Sequence, residues 1–295
     1  PNSASVGCES LGFRIINSRR RVFYVPPLTN LPYRKIELSY ADSQFAAVPT
    51  QQVFIEEMKQ SFRYFFSAEE NSFKNDFPNQ VNSTNFPFKG FLLSGKPGVG
   101  KTEAVIEACR ALAGPLDQAG IELELLHVNS QSIFRSQVGE MESRLASVFT
   151  DAQDNTNSRK RTVLLFDDID TMLVKRTEDN PSEWSRSLNG VFFHHCDRMV
   201  ASKVLIVATT NVPEKIDDAI HSRLFMRPVP EPTIDELVSV AANVLPLNPK
   251  GFDKAEMLDV IEAEIRAAVD AGETPSFRLA RKIAIIQIVN SVVFR

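Results

Sequence analysis

Gly95-Lys96-Pro97-Gly98-Val99-Gly100-Lys101-Thr102 is the stretch of this sequence that decides the fold. It follows the apolar segment Phe91–Leu93 and opens a helical pattern that runs to Gly114-Pro115. The spacing fits G-x-x-x-x-G-K-[ST], in which the backbone N–H groups and the positive end of the helix face a polyphosphate. Lys101 supplies a point charge to the outer phosphates and Thr102 a hydroxyl to Mg²⁺. The predicted nucleotide-binding set is this stretch together with Glu103.

A second motif lies about 60 residues downstream. Val163-Leu164-Leu165-Phe166-Asp167-Asp168 reads as an apolar strand that ends in two carboxylates. Ligands of open α/β sheets bind beyond the carboxyl ends of the strands, so both carboxylates are predicted to face the ligand crevice. Asp167 is predicted to reach Mg²⁺ through its waters, and Asp168 to orient or deprotonate an attacking water. The two motifs together predict ATP and Mg²⁺ as the ligands.

Apolar strand patterns alternate with helical patterns from residue 90 to residue 229. This alternation predicts a parallel sheet with helices on both faces. A helix is predicted before it, over 51–68, followed by a loop over 69–86. After Pro232 only helical patterns remain, over 233–245, 253–271 and 276–293. The predicted organisation is an N-terminal appendage with a strand candidate at 21–25, a P-loop α/β domain and an all-α lid domain, at 1–48, 49–231 and 232–295.

Composition narrows the class of protein. With 43% apolar and 24% charged residues, the chain of 295 residues is globular. No apolar run approaches the roughly 20 residues of a membrane span. Three widely spaced cysteines predict neither a disulfide framework nor a zinc site, which favours a cytoplasmic protein. Residues 1–40 carry a net charge of +4, whereas the net charge of the whole chain is −4. The rest of the chain is therefore too acidic for a dedicated nucleic-acid binder.

The two motifs, followed by Thr209-Thr210-Asn211 and then Ser222-Arg223, resemble those of AAA+ ATPases. The resemblance covers residues 50–295 and implies an oligomer, such as a hexameric ring, that hydrolyses ATP between subunits. It implies that Asn211 is the sensor 1 residue near the γ-phosphate and that Arg223 is an arginine finger for the next subunit. Arg278 matches the sensor 2 arginine of the lid, with Arg281 and Lys282 as competing candidates.

Three segments resemble the AAA+ proteins that remodel HORMA-domain partners, which implies a HORMA-like protein substrate. They are residues 209–219, residues 186–191 with Arg186 and Asn189, and residues 276–282. Two positions depart from the family pattern. Asp168 stands where Glu is usual, one methylene shorter, and this predicts slow hydrolysis. Gln137 stands at the aromatic position of the pore loop, which argues against gripping an unfolded chain, although Phe134 lies nearby.

Three functions therefore stay open on the sequence. The leading one is an ATPase that assembles with itself and remodels a protein partner. A nucleic-acid-directed ATPase of the loader type is the second, supported by the basic N-terminal stretch. The third is a nucleotide-binding switch or scaffold subunit with little turnover, supported by Asp168 and Gln137.

Overall fold

The computed structural model describes residues 31–38, 48–66, 83–134, 140–153, 157–173, 183–246 and 253–293. Six strands form one sheet in the order β1-β3-β4-β5-β2-β6. The strands are Tyr33–Ile36 (β1), Gly90–Ser94 (β2), Glu122–Asn129 (β3), Lys160–Asp167 (β4), Val204–Thr210 (β5) and Leu224–Pro228 (β6). All neighbours pair in parallel except β1, which is antiparallel to β3. The predicted parallel sheet with flanking helices is confirmed.

Helices cover both faces of this sheet. They are Pro49–Phe66 (α1), Lys101–Gln118 (α2), Ser130–Phe134 (α3), Glu140–Ala152 (α4), Glu183–Arg198 (α5) and Asp218–His221 (α6). One buried apolar cluster joins α1 and α2 to the sheet, and another joins α4 and α5 to its opposite face. The central strands are buried on both sides, which explains their continuous apolar sequences.

Two boundaries differ from the sequence prediction. Helix α2 continues through Pro115 to Gln118 instead of ending at Gly114-Pro115. Its last turn is held by Leu116, which is buried in the α1–α2 cluster, and burial there outweighs the hydrogen bond that a proline removes. The sequence pattern also favours one short helix over 213–221, which the structure divides into a 3₁₀ turn, Pro213–Lys215, and α6, whose first turn is capped by the Asp217 side chain. The strand candidate at 21–25 lies outside the described residues.

Strand β1 is an element that the sequence patterns did not predict. It lies within the segment that we assigned to the N-terminal appendage, yet it extends the main sheet. Tyr33 donates a hydrogen bond to Asp151 (3.0 Å), and the Lys35 ammonium lies 2.8 Å from Glu124. Glu124 also pairs with Lys160 at 2.7 Å. These contacts attach β1 to α4 and to β3, and Glu124 in turn links β3 to β4.

Three helices follow the sheet: Ile234–Val244 (α7), Lys254–Asp270 (α8) and Phe277–Val293 (α9). They share a third apolar cluster, which also includes Val48 at the start of α1. No helix within the described ranges combines the length and apolar character that a membrane crossing requires.

Glu236 connects these helices to α1. It closes a capping box with Thr233 at the start of α7. Its Oε1 also accepts hydrogen bonds from the backbone N–H (2.7 Å) and the hydroxyl (2.6 Å) of Thr50. Burial alone would raise the pKa of Glu236, but the hydrogen bonds from Thr50 and Thr233 lower it. The carboxylate is therefore more stable in the folded chain than in the unfolded one.

We expect Glu236→Ala to lower the free energy of unfolding by about 2 kcal/mol at pH 7, since a cap and buried charge-assisted hydrogen bonds are lost. Because folding lowers the pKa of Glu236, this contribution is complete above the unfolded pKa of about 4.3 and is lost as the pH falls through the folded pKa. Urea unfolding at pH 7 and pH 3 measures both effects. Glu256, the exposed residue three positions after the cap of α8, is the matched control. Equal unfolding energies for Glu236→Ala and Glu256→Ala at pH 7 would contradict the prediction.

Candidate functional site

The glycine-rich loop lies at the carboxyl end of β2, between β5 and β6. Gly98 and Gly100 have φ angles of 81° and 93°, in the left-handed region where glycine is favoured. A Cβ atom at Gly98 would also stand 3.0 Å from the Cβ of Arg278, so α9 approaches this loop closely. The Phe277 N–H donates to the Gly98 carbonyl at 3.0 Å. The loop therefore opens α2 with its backbone bent and with the start of α9 resting on it.

Lys101 is held in place by three hydrogen bonds. Its ammonium donates to the carbonyl of Gly95 (2.7 Å), the carbonyl of Lys96 (3.0 Å) and Oδ1 of Asn211 (2.6 Å). Burial lowers the pKa of Lys101, and the carboxylates of Asp168 and Asp167 oppose that effect. The three acceptors fix the position of the positive charge at the loop, which suits a group that must meet phosphate oxygens.

The surroundings of Asp167 keep its carboxylate ionised. Its Oδ1 accepts hydrogen bonds from the hydroxyls of Thr102 (2.7 Å) and Thr209 (2.6 Å). Its Oδ2 lies 3.5 Å from Nε2 of His127 on β3. Burial would raise the pKa of Asp167, but the nearby His127 and the hydrogen bonds from Thr209 and Thr102 lower it to about 2. An ionised carboxylate beside the Thr102 hydroxyl forms a hard oxygen donor pair, and these donors fit Mg²⁺.

Asp168 has an uncommon backbone conformation. With φ 48° and ψ 54°, it is the only described residue other than glycine with a positive φ. Its N–H donates to Thr209 Oγ1 at 3.0 Å, and its Oδ1 accepts from Asn211 Nδ2 at 2.9 Å. Burial and the charges of Asp167 and Asp170 raise its pKa. Asp and Asn tolerate the left-handed region better than longer side chains do, so this conformation gives a physical reason for Asp at this position.

A cavity of about 580 Å³ joins most of the predicted residues. The cavity is lined from α9 by Arg278, Arg281 and Lys282, so the structure does not decide which of these three cations has the sensor 2 role. Its lining also includes Pro97, Gly98, Gly100, Lys101, Thr102, Glu103, Asp167, Asp168 and Asn211. Two residues of the site were not predicted from the sequence. The pattern places Thr209 only at the end of a strand, and nothing in the sequence around His127 indicates its position against Asp167.

Arg223 is placed apart from this cavity. It precedes β6, whose first residue Leu224 pairs with Gly90, whereas the phosphate loop follows the other end of β2, where Ser94 pairs with Pro228. Four residues of parallel strand separate these ends, roughly 13 Å. The guanidinium makes two hydrogen bonds to Asp197 (2.7 and 2.8 Å) and lies 4.8 Å above the ring of Phe193. Arg223 therefore lies at the amino end of β6, whereas Lys101 of the same chain follows the carboxyl end of the neighbouring strand β2.

Gln137 and its neighbours lie outside the described residues, as does the side chain of Phe134. The pore-loop interpretation therefore stays a prediction. The interpretation of the basic N-terminal stretch as a nucleic-acid contact also stays a prediction, because only Arg34 and Lys35 of its basic residues are described.

Comparison with known proteins agrees with this geometry. Residues 91–229 match the model of the family described as ATPase family associated with various cellular activities (AAA). The ATPase family gene 2 protein of Schizosaccharomyces pombe is 33% identical over 46% of this chain and 15% of its own length. A probable spastin homolog of Brugia malayi is 32% identical over 50% of this chain and 30% of its own. Fidgetin-like protein 1 of Xenopus laevis is 32% identical over 52% of this chain and 22% of its own.

The chain thus spans less than a third of each of these curated relatives. A chain in the solved structure of the E. coli MS115-1 HORMA:CdnC:Trip13 complex has the same fold. The TM-score is 0.56 at 17% identity, covering 88% of this chain and 97% of that one. The predicted resemblance to AAA+ ATPases is confirmed over residues 91–229, which match the AAA family model.

Proposed function

We propose that this chain, which carries an AAA domain, is a Mg²⁺-dependent ATPase that assembles with itself and remodels a protein partner. One observation carries the proposal: five hydrogen bonds join six residues in a continuous path at the carboxyl ends of β2, β4 and β5. From Lys101 the path runs through Asn211 to Asp168, and Thr209 links the Asp168 backbone to Asp167 and thence to Thr102. A positively charged side chain (Lys101), two proposed metal ligands (Thr102 and Asp167) and a proposed general base (Asp168) thus lie around one cavity.

The roles follow from this arrangement. The loop N–H groups and Lys101 bind the outer phosphates of ATP, while Thr102 and Asp167 hold Mg²⁺. When bound, Mg²⁺ neutralises charge that develops on the phosphate oxygens. Asp168 accepts a proton from the attacking water or orients it, and the Asn211 amide keeps the Asp168 carboxylate in position. Asn211 accepts a hydrogen bond from Lys101 and donates one to Asp168, so it couples the position of the phosphate-binding lysine to that of the proposed base.

The placement of Arg223 supports catalysis between subunits. A guanidinium at the amino ends of the parallel strands cannot reach phosphates bound at their carboxyl ends in its own chain, whereas a second copy can present it. Assembly would then complete each site. Measuring phosphate release with Mg²⁺ and ATP over a range of protein concentrations tests this directly. A monomer with full activity per chain at every concentration would overturn it.

The proposed substrate is a folded protein domain, with a HORMA domain as the first candidate. The support is the resemblance of residues 209–219 and 276–282 to HORMA remodellers. The Asp168→Gln variant, loaded with ATP and incubated with a purified HORMA-domain protein, tests this by co-sedimentation. Stimulation of turnover by DNA or RNA, reversed by salt, would instead favour the nucleic-acid-directed alternative.

We expect Asp168→Asn to slow steady-state turnover by at least about tenfold while ATP binding persists, because asparagine retains the size and the left-handed backbone but not the basicity. Asp168→Glu is the matched comparison. It retains the carboxylate, lies one methylene farther out and fits the φ of 48° less well. We expect it to stay active, with any gain in reach offset by that backbone cost. A turnover assay in which Asp168→Asn equals the wild type would remove Asp168 from catalysis and favour the low-turnover switch.

A further inference from the structure

Thr209, near the end of β5, contacts two adjacent aspartates through one hydroxyl group. Its Oγ1 donates a hydrogen bond to Asp167 Oδ1 at 2.6 Å and accepts one from the backbone N–H of Asp168 at 3.0 Å. A hydroxyl has one donor and two acceptor positions, whereas an ionised carboxylate only accepts and a backbone N–H only donates. The direction of both hydrogen bonds is therefore fixed, and one oxygen atom links the proposed metal ligand to the proposed base.

The position of Thr209 in the sheet accounts for both contacts. Strand β5 lies between β4 and β2, with Ala208 paired to Phe166 and Thr209 paired to Leu93. Because Asp167 follows Phe166, it comes to lie beside Thr209 on the same face of the sheet. Thr209 is 0% exposed, below the described residues that line the phosphate cavity. It is therefore placed to act through the two aspartates and not by touching the nucleotide.

The hydrogen bond to the backbone supports an unfavourable conformation. Asp168 has φ 48° and ψ 54°, in the left-handed region that costs free energy for residues other than glycine. Such a conformation persists where surrounding contacts hold it. Here the N–H of Asp168 is held by Thr209, and its carboxylate accepts a hydrogen bond from Asn211 at 2.9 Å. The Thr209 hydroxyl thus helps to decide where the Asp168 carboxylate lies.

The hydrogen bond to the side chain supports the metal ligand. Asp167 Oδ1 also accepts a hydrogen bond from the Thr102 hydroxyl at 2.7 Å, but that hydroxyl is itself a proposed ligand of Mg²⁺. The other oxygen, Oδ2, lies 3.5 Å from Nε2 of His127, which is longer than an ordinary hydrogen bond. Thr209 therefore makes the short hydrogen bond that keeps Asp167 oriented while Thr102 engages the metal.

We propose that Thr209 is a positioning residue that orients the metal ligand Asp167 and the base Asp168 together, a role that rests on the proposed function. Hydrogen-bond partners of metal-binding side chains typically change metal affinity or activity about 10- to 100-fold when they are removed. A general base that is displaced loses much of its contribution to the rate. Loss of the Thr209 hydroxyl should therefore impair two separate properties, which are binding of the Mg²⁺–nucleotide complex and turnover.

Thr209→Val, which retains the branched side chain but removes the hydroxyl, tests the proposal in the full chain. Isothermal titration with a non-hydrolysable ATP analogue measures affinity in Mg²⁺ and in EDTA. We expect affinity in Mg²⁺ and kcat each to fall at least about tenfold, while affinity in EDTA changes less than about threefold. Thr209→Ser retains the hydroxyl and should preserve most of both properties. Thr162→Val, at a 1% exposed position near the amino end of β4, is the matched control and should equal the wild type.

A double variant separates positioning from a general loss of structure. Asp168→Asn already removes the base, so the further addition of Thr209→Val should lower turnover less than about threefold, which is a non-additive result. The loss of affinity in Mg²⁺ should remain in the double variant, because it acts through Asp167. Thermal melting verifies that each variant is folded, and Thr209→Ala replaces Thr209→Val if valine prevents folding.

The proposal would be overturned by wild-type turnover and Mg²⁺-dependent affinity in the folded variant without the hydroxyl. Equal losses in Thr209→Ser would also overturn it, because the hydroxyl is then not the cause, and so would full additivity with Asp168→Asn. A wild-type chain that binds the analogue equally well in Mg²⁺ and in EDTA would overturn the proposed function, and the role of Thr209 with it.

Discussion

We expect Arg223→Ala to lower steady-state ATP turnover by a factor of about 10³–10⁵ while ATP affinity stays close to that of the wild type. An arginine finger acts on charge that develops in the transition state, so its loss affects kcat rather than ground-state binding. The structural basis of this expectation is the position of Arg223 at the amino ends of the parallel strands, opposite the end that carries Lys101. Arg266→Ala, which removes an equally long cation from α8, is the control and should retain turnover.

The trans-acting character of Arg223 has its own test. The Lys101→Ala copy has a defective phosphate loop but an intact finger, and the Arg223→Ala copy has the reverse. Mixed assemblies should recover part of the activity, because some junctions combine an intact loop with an intact finger. Activity in the mixture that equals the sum of the two separate variants, despite verified co-assembly, would show that the finger does not act between subunits.

The second large effect is expected for Lys101→Ala, which should weaken binding of an ATP analogue at least about 100-fold. The variant loses a positive charge that is 7% exposed and fixed by three acceptors, at the place where the outer phosphates bind. Isothermal titration measures the affinity, and thermal melting verifies that the variant is folded. Lys96→Ala is a matched control in the same loop, since Lys96 contributes to the predicted nucleotide site through its backbone, while its exposed side chain pairs with Glu231 at 3.0 Å. Wild-type affinity in Lys101→Ala would exclude this loop as the nucleotide site.

Sequence patterns predicted those parts of the site that depend on local signals. The phosphate loop is specified by consecutive residues, and Asp167 is specified by the apolar strand that precedes it. His127 could not be predicted this way, because its contact with Asp167 arises only when β3 pairs with β4 and aligns Asn129 with Asp167. The left-handed backbone of Asp168 is likewise set by tertiary contacts, with the N–H donating to Thr209 on β5.

The elements of the fold, too, could be predicted where local sequence determines them and not where distant contacts do. Helices α7, α8 and α9 follow the periodicity of their own sequences, and the central strands follow from their apolar runs. Strand β1 has the sequence Tyr33-Arg34-Lys35-Ile36, which is too short and polar to stand out. It forms because Asp151 and Glu124, about 90 to 120 residues away in sequence, supply partners for Tyr33 and Lys35. Contacts at such separation leave no local pattern.

The separation of Arg223 from its own phosphate cavity has a consequence for control. If each chain carries two half-sites that cannot meet internally, dilution alone silences the enzyme, and no inhibitor is required. Activity per chain then depends on the local concentration of the chain: isolated copies do not hydrolyse ATP, whereas copies bound close together on one target do. In the proposed enzyme, the four-residue separation along β2 would thus make ATP turnover depend on the meeting of two copies.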